Sequence, residues 1–191
     1  MPAPGPSRNR GPAAAPANRA AILDAARRVF AEQGYRAPFS AIAKTAGVGQ
    51  AVLYRHFPDR LELAFAVFAD NFAELERLAT TIEGPGCFHV VWRRIVEYTL
   101  ESSAIVEMVI DARLQLPDAL GSARLEHLVE APLARAQAAG LVHPDWTPHD
   151  VLLLQHMVYG VIIAQPSPAE ARDAVRRALH LIDPRLSEGA G

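Results

Sequence analysis

PFSAIAKTAGVGQAVLYRHF, residues 38–57, followed by Pro58, Asp59 and Arg60, decides how the rest of the chain is read. Small Ala43 falls in a first short helix, Gly47 stands four residues on in a tight turn, and Leu53 falls six residues later in a second helix. Two helices that cross closely need a methyl-sized side chain at the crossing and a residue free of backbone restriction in the turn, so the spacing predicts a helix-turn-helix. Ile42, Ala46, Val48, Val52 and Leu53 then face a shared core, which leaves Gln50, Ala51, Tyr54, Arg55 and His56 outside. That outer set matches DNA chemistry: Gln pairs with adenine edges, Arg with guanine edges or phosphates, and a Tyr hydroxyl or His ring with phosphate oxygens.

Upstream, Ile22, Ala25, Ala26, Val29 and Phe30 recur at helical spacing, predicting a bracing helix from Asn18 as N-cap to Gln33, ended by Gly34. Tyr35 and Phe39 are expected to cap the small core of the three helices. Residues 1–17, MPAPGPSRNRGPAAAPA, carry no apolar periodicity and read as a disordered arm holding Arg8 and Arg10. Downstream, Leu61, Phe65, Phe68, Phe72, Leu75 and Leu78 line one long helix from Arg60 to about Ile82, and EGPG at 83–86 breaks it. Five further helical stretches follow, at about 87–103, 104–115, 118–139, 148–164 and 168–182, with Pro132 expected to kink the third. The expected fold is all-α with about nine helices, since no stretch shows strand alternation.

Charge divides the chain more sharply than its net −2 suggests. Residues 1–60 hold nine basic and three acidic groups, net +6; residues 61–191 hold ten basic and eighteen acidic groups, net −8. The basic third coincides with the helix-turn-helix and points it at a polyanion. Half of the residues are hydrophobic, yet the longest apolar run, Val151 to Ala164, falls short of the roughly 18–20 residues of a membrane span and contains Gln155 and His156. With no membrane span, no secretory h-region and a single cysteine, Cys87, a cytoplasmic protein without an internal disulfide is expected.

Enzymatic signatures are missing. The seven histidines fall in no metal-ligand spacing, and no GxGxxG, Walker loop or GxSxG occurs, so no catalytic residues, metal or cofactor are expected. Glu107, Asp111 and Arg113 share a helix, a spacing that more often makes solvated salt bridges. The C-terminal part mixes apolar bulk with polar groups that read as buried: Trp92, Tyr98, Met108, Gln115, His127 and Trp146, then His156, Met157 and Tyr159. Each fits core packing by itself, and together they fit a small-molecule pocket. The helix at 148–164 is apolar nearly all round, and 168–182 presents one apolar face; such surfaces need a partner, within the monomer or in a second copy.

AGVGQAVLYRHFPDRLEL, residues 46–63, resembles the DNA-binding signature of the TetR family of transcriptional regulators: AGV, a few variable residues, LY, HF, then a basic residue before a long helix. The likeness covers roughly residues 18–65 specifically. It implies a reading domain at 18–62 and a C-terminal regulatory and dimerisation domain at 63–191. It further implies base reading by Gln50, Ala51 and Arg55, and phosphate contact by Lys44, Tyr54, His56 and Arg60. The chain departs from the pattern where a Ser or Thr commonly caps the second helix, because Ala37 and Pro38 offer no hydroxyl; Ser40 is expected to serve instead. Val52 stands where the family often has Thr. The last two helices would pair with their copies in a homodimer through Val158, Val161, Ala171, Val175, Ala178, Leu179 and Ile182. The expected function is a repressor released from a palindromic operator by a small, hydrophobic effector, with movement of the long fourth helix altering the separation of two reading heads. The alternative is a helical small-molecule-binding protein that no longer binds DNA specifically.

Overall fold

The computed structural model describes residues 15–115 and 121–187. Helix α1, Ala15–Gln33, buries Ile22, Ala25, Ala26, Val29 and Phe30, and starts three residues ahead of the expected Asn18 cap. Gly34 ends it with φ 79°, its N–H donating to the Phe30 carbonyl at 3.0 Å. Helix α2, Phe39–Ala46, follows Pro38 in extended conformation, and α3, Gln50–His56, follows Gly49 likewise. Between them Gly47 takes φ 67°, ψ 28°, the left-handed region that a side-chain-bearing residue enters only at a cost. Ala43 and Leu53 are both buried at the crossing, and α2 packs against α1.

Helix α4, Arg60–Val67, is capped by Asp59, whose Oδ1 accepts from the Glu62 N–H at 2.8 Å. The expected single helix from 60 to 82 is not continuous: it breaks at Phe68 (φ −96°, ψ 8°), and α5 runs from Ala69 to Thr81. Neither Gly nor Pro stands there. Phe68 is buried and stacks on Phe30 of α1 at 6.3 Å, while Phe72 and Leu75 are buried on α5, which packs on other helices. One straight rod does not serve both seats, so the backbone bends between them.

Helices α6 (Cys87–Glu101), α7 (Ala104–Gln115), α8 (Gly121–Ala138), α9 (Pro148–Ile163) and α10 (Pro168–Ile182) follow close to expectation. Pro132 lies within α8, which continues past it. A capping box closes α9, with the Thr147 side chain accepting from the Asp150 N–H and the Asp150 carboxylate accepting from the Thr147 N–H; Ser167 caps α10. A short α11, Pro184–Ser187, was not foreseen, and with the break at Phe68 it brings the described helices to eleven rather than nine. No strand occurs among the described residues. Apart from Ala171, the buried hydrophobic residues form one cluster, from Ile22 to Leu186. Helix α4 contacts α1 and α7; α5 contacts α6 and α8; α9 contacts α6, α8 and α10. Among the described residues no helix is long and apolar enough to cross a membrane.

Candidate nucleic-acid interface

Burial of Ile42, Ala43 and Leu53 fixes which faces of α2 and α3 remain outside. Ser40 and Lys44, one helical turn apart on α2, are exposed. On α3, Gln50, Ala51, Tyr54 and Arg55 are exposed along one face, and His56 at its end is half-buried. Tyr54 is 51% exposed, and its ring leans on Phe39 at 5.2 Å. Neither Lys44 nor Arg55 has an ion-pair partner among the described residues, so both present uncompensated positive charge. Six of the eight sequence-predicted residues, Ser40, Lys44, Gln50, Ala51, Tyr54 and Arg55, are thus exposed, and His56 is half-buried.

Arg60 is the exception. Its Nη1 donates to the backbone carbonyls of Tyr35 and Ala37, both at 2.5 Å, and its guanidinium lies 5.6 Å from the Tyr35 ring centre and 5.2 Å from that of Phe39. Arg60 ties the start of α4 to the loop between α1 and α2, because two carbonyls without helical partners and two ring faces compete with a phosphate for it there. Sequence reading missed Arg19, which lies over the Phe57 ring at 4.7 Å beside the end of α3 and is exposed, and Arg36, exposed in the same loop. Their signal was charge alone.

Beneath the motif, the loop after α1 meets α7. Tyr35, 1% exposed, donates from its hydroxyl to Asp111 Oδ2 at 2.7 Å. Burial and this bond push the Tyr35 hydroxyl well above the usual phenol range. Glu107, one turn earlier on α7, faces Gly34: a Cβ there would sit 3.4 Å from Glu107 Oε1. Burial raises the Glu107 carboxyl, with the charge of Arg36 and a bond from Ser103 opposing. Asp111 thus fastens the loop after α1 to α7 through Tyr35, with Glu107 lying beside Gly34; the Arg113 side chain lies outside the described residues.

A second feature lies in the C-terminal part. A crevice of about 20 Å³, room for one water molecule, opens between α5, α6, α7, α8 and α9. Phe72 and Leu75 line one side, and Ile95 with Tyr98 another. Ile105, Leu125 and Gln155 complete it. The Tyr98 hydroxyl donates to Glu74 Oε2 at 2.6 Å, and Arg94 Nε donates to Glu74 Oε1 at 3.1 Å, so Glu74 sits well below the usual carboxylate range; burial pushes Tyr98 up to about 12.

Of the residues expected in a pocket, Tyr98 lines the crevice. Trp92 and Met108 are buried in the core, while Trp146, His156 and Tyr159 are half-buried away from its walls. His127 is corrected: its side chain is 89% exposed, beside Glu130 at 3.5 Å, because it falls on the outer face of α8. Met157, at 54%, is likewise on the surface, and the Gln115 side chain lies outside the described residues. Gln155 was the missed residue; a lone amide in an otherwise apolar run was its signal.

Four of the seven residues expected at a dimer face are covered within the chain. Val158, Ala171, Val175 and Leu179 are buried within this one chain, where α9 and α10 pack on each other, and Val161 and Ala178 are half-buried. Ile182 remains 40% exposed. The apolar side chains left outside are instead Leu153, Met157, Ile163 and Leu181.

Comparison with known proteins agrees with this geometry. Residues 22–67 match the family model described as bacterial regulatory proteins, tetR family. The chain is 29% identical over 171 residues to the HTH-type transcriptional regulator UidR of Escherichia coli K12, covering 84% of this chain and 85% of that protein. A TetR transcriptional regulator from Streptomyces coelicolor is 25% identical with a TM-score of 0.53, covering 85% of this chain and 96% of that one. A gamma-butyrolactone receptor shares the fold at 20% identity and a TM-score of 0.57, covering 92% and 96%.

Proposed function

We propose, from the premise that the chain belongs to the TetR family of bacterial regulatory proteins, that it is a DNA-binding repressor which a small molecule releases from a palindromic operator. One observation carries the reading: the exposed face of α3, with Gln50, Tyr54 and Arg55 turned outward beside an unpaired Lys44. Gln50 and Arg55 read base edges in the major groove, with Ala51 close enough to meet a thymine methyl. Ser40, Lys44, Tyr54 and His56 fix register on phosphates. Residues 18–62 form the reading unit and residues 63–191 the regulatory one, acting in the cytoplasm and without turnover of a substrate.

Two reading heads require two copies. The exposed Leu153 and Met157, one turn apart on α9, with Leu181 on α10, supply the contact, which would set the recognition helices about 34 Å apart in successive major grooves. The fold is shared with a gamma-butyrolactone receptor, and a small effector entering the crevice presses on Ile105 of α7. The same helix carries Glu107 and Asp111 against the loop at 34–36, so a shift of α7 reorients the reading head.

The test is fluorescence anisotropy of the full chain on the duplex flanking its own gene, at two salt concentrations, with unrelated duplex as competitor. Competitor-resistant binding that falls steeply with salt is expected; retention insensitive to salt, or none on any duplex including selected random ones, overturns the reading in favour of a ligand-binding protein without an operator.

A further inference from the structure

The crevice is walled by hydrocarbon and aromatic rings except at two groups, and those two differ in how far they are already engaged. Tyr98 is committed through its hydroxyl to Glu74, which Arg94 neutralises from 3.1 Å while a second Arg94 nitrogen reaches Glu97 at 3.0 Å. Gln155 is 4% exposed, lines the crevice from α9, and its Oε1 has no hydrogen-bond partner. A buried amide oxygen without a donor is an incomplete arrangement, because it has left water and received nothing in exchange.

The geometry points to an uncharged, largely apolar effector that donates one O–H or N–H hydrogen bond to Gln155 Oε1: an alcohol or a phenol of single-ring size. This rests on the effector-release reading given above. A carboxylate would lose its hydration among the same hydrocarbon walls with no free cation to meet it, since Arg94 is engaged by Glu74 and Glu97. An ammonium would lose its hydration among Phe72, Ile105 and Leu125, whose side chains return nothing to a charge. The present volume of about 20 Å³ admits a single water, so the effector displaces that volume by parting the aliphatic walls, Ile105 of α7 among them.

Isothermal titration of the full-length protein with 4-ethylphenol, 4-ethylanisole and 4-ethylbenzoate tests the assignment. The wild type is expected to bind the phenol at least about tenfold more tightly than its ether or the benzoate, as one buried donor–acceptor pair of about 1.4 kcal/mol requires. In Gln155→Leu, or in the unbranched Gln155→Met should the first fail to melt cooperatively, the preference of phenol over ether collapses to within about twofold while the ether still binds. Equal affinities for phenol and ether in the wild type, tighter binding of the benzoate, an unchanged preference in the variants, or no phenol binding at millimolar concentration each overturns it. Operator anisotropy with 4-ethylphenol present separates this from the broader reading. Phenol binding with the stated preference but without release leaves the ligand assignment standing and removes the release step. Release without donor preference does the reverse.

Discussion

Tyr35 and Asp111, separated by 76 residues in sequence, are joined by a 2.7 Å hydrogen bond that fastens the loop under the reading head to α7. Removing only the hydroxyl, in Tyr35→Phe, is expected to lower stability by about 1–2 kcal/mol and to reduce the effector's influence on operator affinity more than operator affinity itself. Chemical denaturation and operator titrations with and without effector measure both. An unchanged effector response would exclude this bond from the coupling.

Arg60→Ala is expected to destabilise the protein by about 2–3 kcal/mol, because it strands the carbonyls of Tyr35 and Ala37 and uncovers two rings. The dependence of operator affinity on salt should keep its slope. A slope smaller by about one would return Arg60 to the phosphate-contacting set.

On α3, Arg55→Ala and Tyr54→Ala should fail differently. The first costs about 1–3 kcal/mol on the preferred operator and relaxes discrimination at particular base pairs, whereas the second weakens all duplexes alike. Binding to a panel of single-substitution operators distinguishes them, and parallel, sequence-independent losses would deny Arg55 a base-reading role.

The double substitution Leu153→Glu with Met157→Glu places charge on the exposed face of α9 without touching the buried side of the helix. Sedimentation should then report a folded monomer with sharply reduced operator affinity. Retention of a dimer would move the contact elsewhere.

Glu107 carries a pH signature whose sign follows from its surroundings. Its carboxyl is raised in the folded protein by burial, so the folded state favours the neutral acid. That contribution is complete below the ordinary glutamate value of about 4.3 and is lost as pH rises through the raised folded value. Glu107→Gln, which stays neutral, should therefore gain stability relative to wild type as pH climbs from 4 to 7. Urea midpoints across that range read the difference, and a constant offset would contradict the assignment.

What the sequence disclosed was local. Ala43, Gly47 and Leu53 lie within eleven residues, and their spacing alone places the outer face of α3. Arg60 shows where such reading stops: its role depends on carbonyls 23 and 25 residues upstream, and a basic residue at a helix start looks the same whichever way it turns. Val175 and Leu179 show a second boundary, since an apolar face does not say whether its cover is α9 of the same chain or of a copy. Gln155 was visible as an oddity in an apolar run, yet the crevice it lines is assembled from five helices and has no linear pattern.

The bend at Phe68 is held by neither glycine nor proline but by where one phenyl ring rests. An angle fixed that way rests on a contact between two rings, Phe68 and Phe30, and not on a backbone restriction. The direction in which the N-terminal unit points thus depends on side-chain packing and not on a glycine or proline in the covalent chain.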